Sequence, residues 1–151
     1  MPIKTEIIDD ADGVFQNKLL QLLIAENTRN AGETTVERTI IRLYDSDNRA
    51  TEGGIWTEIL FDWMYIEVLY VPEPMRGCGF GSNLLRQVEE IAASRGCVGV
   101  WLETFEFQAP DFYLKNGYEI FATLDNYPIG SKRQFLRKVF DSGSSGVQAI
   151  A

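Results

Sequence analysis

The chain has 151 residues, and 22 Asp plus Glu outweigh 14 Lys plus Arg to give a formal net charge of −8 at pH 7. That length is one ordinary domain with room for a core, and the acidic balance argues against general nucleic-acid binding while mildly favouring a cationic partner. No apolar run is long enough to span a bilayer and no leader-like segment opens the sequence, so a cytoplasmic protein without membrane contact is expected.

Pro2 to Ile8 alternates weakly and reads as a first strand that ends at Asp9-Asp10. From Asp12 to about Thr28, Val14, Phe15, Leu19, Leu22 and Leu23 recur at helical spacing, with Asp10 or Asp12 placed to cap the helix. Asn27 to Thr34 is polar and reads as a loop. Val36 to Tyr44 reads as a strand, and Asp45 to Asn48 as a turn. Gly53 and Gly54 begin or bulge the next strand, Ile55 to Phe61. Met64 to Val71 is a long apolar strand with one ionisable residue, Glu67. The tight connections predict an antiparallel meander.

The clearest helix follows, with Leu84, Leu85, Val88, Ile91 and Ala92 on one stripe and Arg86, Gln87, Glu89, Glu90 and Arg95 mostly on the other side. Gly96 is placed to end it. Val98 to Thr104 reads as a buried strand, parallel to Met64–Val71 through a right-handed crossover. Pro110 opens a short helix that Asn116-Gly117 stops. Tyr118 to Thr123 and Arg133 to Phe140 read as strands around a loop from Asp125 to Gly130. Residues 1–140 read as a single domain and 141–151 as a loose, small and polar tail.

The chemistry centres on Leu69 to Ser82. An apolar strand meets a proline turn, then Arg76, then Gly77, Gly79 and Gly81 on alternate residues, then Ser82 inside a helix start. Such glycines bare backbone N–H groups and let an anion approach the positive end of a helix, and Arg76 adds a charge suited to phosphate. On this stretch alone, a phosphate cradle and a ligand-free glycine turn stand level. A Walker loop is absent, and the dinucleotide fingerprint fails because its third glycine position is Ser82. The chain has no histidine and two cysteines, Cys78 and Cys97. Histidine triads, two-histidine zinc sites and histidine bases are excluded, no metal is expected, and proton transfer falls to carboxylates, tyrosine, cysteine, lysine, backbone or water.

Arg76-Gly77-Cys78-Gly79-Phe80-Gly81 resembles the R/Q-x-x-G-x-G/A loop of the GNAT N-acetyltransferase superfamily, and Leu69-x-Val71 resembles the central strand that feeds it. Ala109-x-x-Phe112-Tyr113-x-x-x-Gly117-Tyr118 resembles that family's second signature. Two linked motifs in the right order are far more specific than either alone. The resemblance implies an α/β (α+β) fold. Its sheet is mixed, mostly antiparallel and six- to seven-stranded, with a splayed central parallel pair and helices on both faces. It implies acetyl-CoA as co-substrate, its pyrophosphate on the loop amides from Gly77 through Cys78, Gly79, Phe80 and Gly81 to Ser82, with the Arg76 charge beside them. The pantetheine arm would then lie along main chain near Leu69, Tyr70 and Val71, where a backbone N–H would also stabilise the oxyanion.

The family's tyrosine acid is Tyr113 in this sequence. A free thiol has a pKa of about 8.5 and tyrosine about 10, so a tyrosine can protonate a developing thiolate without being ionised at neutral pH. Without the motif, Tyr113 reads as core beside Phe112. Glu67 is the candidate base for the amine, against a plain strand glutamate, with Glu103 as competitor. Trp56, Trp63, Trp101 and Tyr65 are candidates for an acceptor pocket. Where many members carry Asn before the second motif this chain has Glu106, and Gln108 is the nearby alternative for the pantetheine contact. Cys78 reads as a loop filler. The expected activity is direct acetyl transfer to a primary amine of a small molecule or peptide, with no nucleic acid and no membrane. A homodimer is common in the family. A non-catalytic acyl-CoA-binding module and a nucleotide-binding regulatory domain are the alternatives.

Overall fold

The computed structural model describes residues 2–141, and the chain divides into two compact units at Thr34/Thr35. The expected tail therefore lies, apart from Asp141, outside the described residues.

In the first unit, Pro2 to Ile8 forms no strand. Weak alternation makes a strand only where the backbone also finds a ladder, and all six strands of the sheet come from the second unit. Helix α1 spans Val14–Ala31. Both candidate caps act: Asp10 accepts the N–H groups of Phe15 and Gln16 at 2.9 and 2.8 Å, and Asp12 that of Val14 at 3.2 Å. The helix runs on to Ala31, through the first part of the stretch expected to be a loop, and only Gly32 to Thr34 lie outside it. Its polar residues bond back onto the helix instead of leaving it: the Thr28 hydroxyl donates to the Ile24 carbonyl and the Asn30 amide to that of Glu26, each at 2.9 Å.

The second unit is a six-stranded sheet. Its strands are β1 (Glu37–Tyr44), β2 (Ala50–Leu60), β3 (Trp63–Tyr70), β4 (Gly99–Phe105), β5 (Glu119–Asp125) and β6 (Lys132–Val139), in the order β1-β2-β3-β4-β6-β5. β1 to β3 form the expected meander, β3 and β4 are parallel, and every other neighbouring pair is antiparallel. Gly53 and Gly54 do not open β2 but sit inside it. A Cβ on Gly54 would run into the Ile41 carbonyl of β1, so close strand approach is what requires glycine there.

Helix α2 (Phe80–Ser94) is the crossover between the parallel strands, and its stripe of Leu84, Leu85, Val88 and Ala92 is buried. It packs on Ile55, Met64, Ile66, Val100, Leu102 and Leu136 of the sheet. Full burial of each such side chain stabilises by roughly 1.5–3 kcal/mol, which fixes the start of α2 against the end of β3. Helix α3 (Pro110–Lys115) ends in a Schellman motif. Gly117 at φ 88° sends its N–H to Leu114 at 3.1 Å, and the Tyr118 N–H reaches the Tyr113 carbonyl at 3.0 Å.

Candidate active site

β3 and β4 pair over only three positions, Trp63↔Gly99, Met64↔Val100 and Tyr65↔Trp101. Both strands continue, β3 paired with β2 up to Tyr70 and β4 paired with β6 along its whole length, so the sheet parts between them. Just past the last rung, β3 carries one extra residue. Thr57 pairs with Ile66 but Trp56 pairs with Val68, which leaves Glu67 in a bulge. A bulge bends its strand and sharpens the twist. Beyond Tyr65, the β4-facing main-chain groups of β3 have no strand partner. The sequence carries a signal for this. The core-facing residues are Met64 and Ile66, then Leu69 and Val71, and a switch from even to odd inside an apolar strand marks one inserted residue.

Past Val71, a 3-10 turn (Glu73–Met75) leads into the glycine loop. Arg76 Nε donates to the Val71 carbonyl at 2.9 Å, and its guanidinium lies 5.8 Å from the Tyr70 ring centroid. Arg76 therefore holds the turn itself, with its terminal nitrogens left for an anion. Gly77 and Gly79 sit at φ 74° and 84°, a region costly for any residue with a Cβ. α2 starts directly after Gly79, so its unbonded first-turn N–H groups open onto the loop. Gly81 is needed for space: a Cβ there would stand 2.9 Å from Phe112 Cζ of α3. Cys78 is exposed, its thiol sits 3.7 Å from the Arg76 carbonyl, and it does not line the cleft.

Between these parts lies a cleft of about 710 Å³. One wall is Leu69, Tyr70 and Val71; the floor is Met75, Arg76, Gly77, Gly79, Phe80, Gly81 and Ser82; the far wall is Phe107, Gln108, Ala109, Phe112 and Tyr113. The Gln108 side-chain oxygen accepts the Thr104 hydroxyl and the Phe105 N–H, each at 2.9 Å. Only an oxygen can take the Phe105 N–H, so the amide NH2 is the end left free. The Tyr113 ring is 8% exposed, with Phe112 edge-on at 5.1 Å and Tyr118 edge-on at 5.8 Å. Burial pushes its hydroxyl up to about 12, so the group carries its proton throughout the neutral range.

Glu67 lies on β3, exposed, and makes no ion pair or hydrogen bond among the described residues. Glu103, its competitor, is committed: it pairs with Arg133 and accepts the Tyr65 hydroxyl at 3.2 Å. Burial first, and then the Glu103 charge, push Tyr65 up to about 12. Tyr65 packs on Trp101 with ring centroids 4.3 Å apart. None of Trp56, Trp63, Trp101 and Tyr65 lines the large cleft. Trp56 borders a shallower hollow of about 440 Å³ with Ile40, Val68 and Tyr70, and Tyr70 walls both. Phe107 and Met75 are cleft residues that the motifs did not single out.

The Acetyltransferase (GNAT) family model matches residues 18–118. The acetyltransferase Atu2258 of Agrobacterium fabrum is 32% identical over 132 residues, 87% of this chain and 96% of that protein. The blasticidin-S acetyltransferase of Streptomyces morookaense is 37% identical over 87 residues, 57% of this chain and 64% of that protein. The crystal structure of an acetyltransferase from Bacillus cereus ATCC 14579 superposes with a TM-score of 0.76 at 29% identity, covering 91% of this chain and 98% of that one. With its parted parallel strands, its glycine loop and this set of relatives, the chain belongs to the GNAT acetyltransferase family and is an acetyl-CoA-dependent N-acyltransferase.

Proposed function

We propose that the protein transfers the acetyl group of acetyl-CoA to the primary amine of a small cationic molecule, by direct attack in a ternary complex. The observation that carries this reading is the cleft left where β3 parts from β4, with Tyr113 in its far wall. The residues present fit acetyl-CoA. Left-handed Gly77 and Gly79 and the first turn of α2 suit a pyrophosphate, and the unpaired edge of β3 suits an amide-bearing arm. Bound there, acetyl-CoA supplies an activated acetyl thioester.

The chain's own groups do the rest. Main chain near Leu69, Tyr70 and Val71 hydrogen-bonds the arm, and an N–H beyond the last rung donates to the carbonyl oxygen as it gains charge. The Gln108 NH2, oriented by Thr104 and Phe105, donates to the same arm. Tyr113 gives its proton to the departing sulfur. Glu67, unpaired, accepts the amine proton directly or through one water. The relative named for blasticidin-S supports a small-molecule acceptor, as does the net charge of −8. Residues 1–140 act as one acyltransferase domain, in keeping with a family match that crosses the division between the two units.

CoA release across a panel of amines tests this, together with melting shifts from acetyl-CoA, ATP and NAD. An amine-dependent rate with stabilisation by acetyl-CoA is expected. Stabilisation by acetyl-CoA without any amine-dependent release would favour a non-catalytic binding module, and stabilisation by ATP or NAD alone a regulatory nucleotide domain. The loop has its own test in Gly79→Val. No protein atom blocks a Cβ at Gly79, but φ is 84°, and holding a β-branched residue there costs of order 1–3 kcal/mol. Calorimetry should show acetyl-CoA binding about ten-fold weaker, which corresponds to 1.4 kcal/mol. Unchanged affinity would remove the loop from the binding site.

A further inference from the structure

Glu89 stands on the side of α2 that the sequence assigns to solvent, yet its side chain is only 15% exposed and both oxygens are engaged. Oε1 accepts the Tyr118 hydroxyl at 3.0 Å and Oε2 the Lys138 ammonium at 2.8 Å. Lys138 donates a second bond to the Asn116 carbonyl at 3.1 Å, and the Asn116 side chain donates to the Phe112 carbonyl at 2.8 Å. α2 and β6 are thereby tied to the last turn of α3, the turn that carries Tyr113.

Tyr118 is the member that reaches Tyr113. It is 4% exposed and makes two contacts. Its N–H donates to the Tyr113 carbonyl at 3.0 Å, and its ring meets the Tyr113 ring edge-on at 5.8 Å and 73°. The Tyr113 hydroxyl itself makes no hydrogen bond among the described residues, so the walls of its ring decide where that oxygen sits. Phe112 is one wall and Tyr118 the other. The Phe112 ring is in turn held against Gly81. Only the Tyr118 ring is anchored by a hydrogen bond at its far end, and Glu89 provides it.

We infer that Glu89, acting through the Tyr118 hydroxyl, is a positioning residue for Tyr113. The inference rests on reading Tyr113 as the proton donor. A purely stabilising pair would not need this arrangement, because a half-buried ion pair gains little over the cost of desolvating its charges. Lys138 is also 32% exposed and could meet its needs in water. What the cluster adds is direction. The helix whose first turn forms the anion cradle also fixes the ring that sets the donor, so the spacing between them is held by one rigid element.

The test uses the full chain. Tyr118→Phe removes the hydroxyl and keeps the ring; Glu89→Ala removes the acceptor; Glu89→Gln restores an acceptor oxygen. Tyr118→Phe and Glu89→Ala should each lower kcat about ten-fold with the calorimetric Kd for acetyl-CoA within about two-fold, the mark of a displaced catalytic group. Glu89→Gln should return kcat to within about three-fold of wild type. In the substrate-free protein, amide exchange at the Tyr118 N–H should quicken about ten-fold in Tyr118→Phe. In a Tyr113→Phe background, adding Tyr118→Phe should cost less than about two-fold. An equal loss in both backgrounds, or unchanged kcat and unchanged exchange, overturns the inference. Wild-type kcat in Tyr113→Phe alone would instead overturn the donor reading beneath it.

Discussion

Tyr113→Phe is expected to lower kcat by about 100-fold and leave acetyl-CoA affinity within about two-fold, the pattern of general-acid loss without loss of binding. The substitution keeps the ring between Phe112 and Tyr118 and removes only the oxygen. Without it the sulfur leaves as a bare thiolate in a partly dewatered cleft, or waits for a proton from solvent. Burial raises the Tyr113 hydroxyl to about 12. A raised value means that the proton stays on the tyrosine as pH climbs, so Tyr113 should impose no alkaline limb on kcat below about pH 10. The same burial raises the proton affinity of a thiolate formed beside it, so the donor is not disarmed. Steady-state kinetics and calorimetry on both proteins check this, and a kcat within two-fold of wild type would reduce Tyr113 to a wall of the cleft.

Glu67→Gln should cost about 100-fold in kcat/KM near neutral pH, as loss of a general base does. The loss should shrink as pH rises. A lysine-like amine has a pKa of about 10.4, so its free fraction grows about ten-fold per unit below that value. The variant depends on that fraction, whereas the wild type makes its own free amine. The pH–rate profiles of the two proteins should therefore converge on the alkaline side. Glu103→Gln is the control. Its carboxylate holds Tyr65 and Arg133, so its replacement should lower melting temperature and leave the shape of the profile alone. If Glu103→Gln gave the converging profile and Glu67→Gln did not, the base would be Glu103.

Much of the candidate site was legible in the sequence because its parts meet as packing, not only as motifs. Gly81 and Phe112 sit in separate signatures, and in the structure one is glycine because the other's ring lies against it. The meander, the crossover helix and the parallel pair follow from apolar period and turn chemistry alone. The misses have local causes. Pro2 to Ile8 has the period of a strand but joins no ladder. Asn27 to Ala31 has loop composition, but side-chain bonds one turn back keep it helical. Glu89 looked solvated because a helix pattern distinguishes faces and not their borders, and it lies one turn after buried Leu85. Met64 to Val71 was read as one continuous apolar strand, which hides the change of parity at its middle.

That change of parity has a consequence for how such a site can be gained or lost. Passing over Glu67, the in-and-out order through Tyr65, Ile66, Val68 and Leu69 is unbroken, and the pairing of β3 with β2 becomes regular. The core has no use for position 67. A chain lacking that one residue should still fold, with β3 free to continue its ladder with β4 and close the gap between them. On the function proposed above, the difference between an ordinary sheet and one that can hold a thioester is then a single-codon insertion, made where no buried side chain has to move.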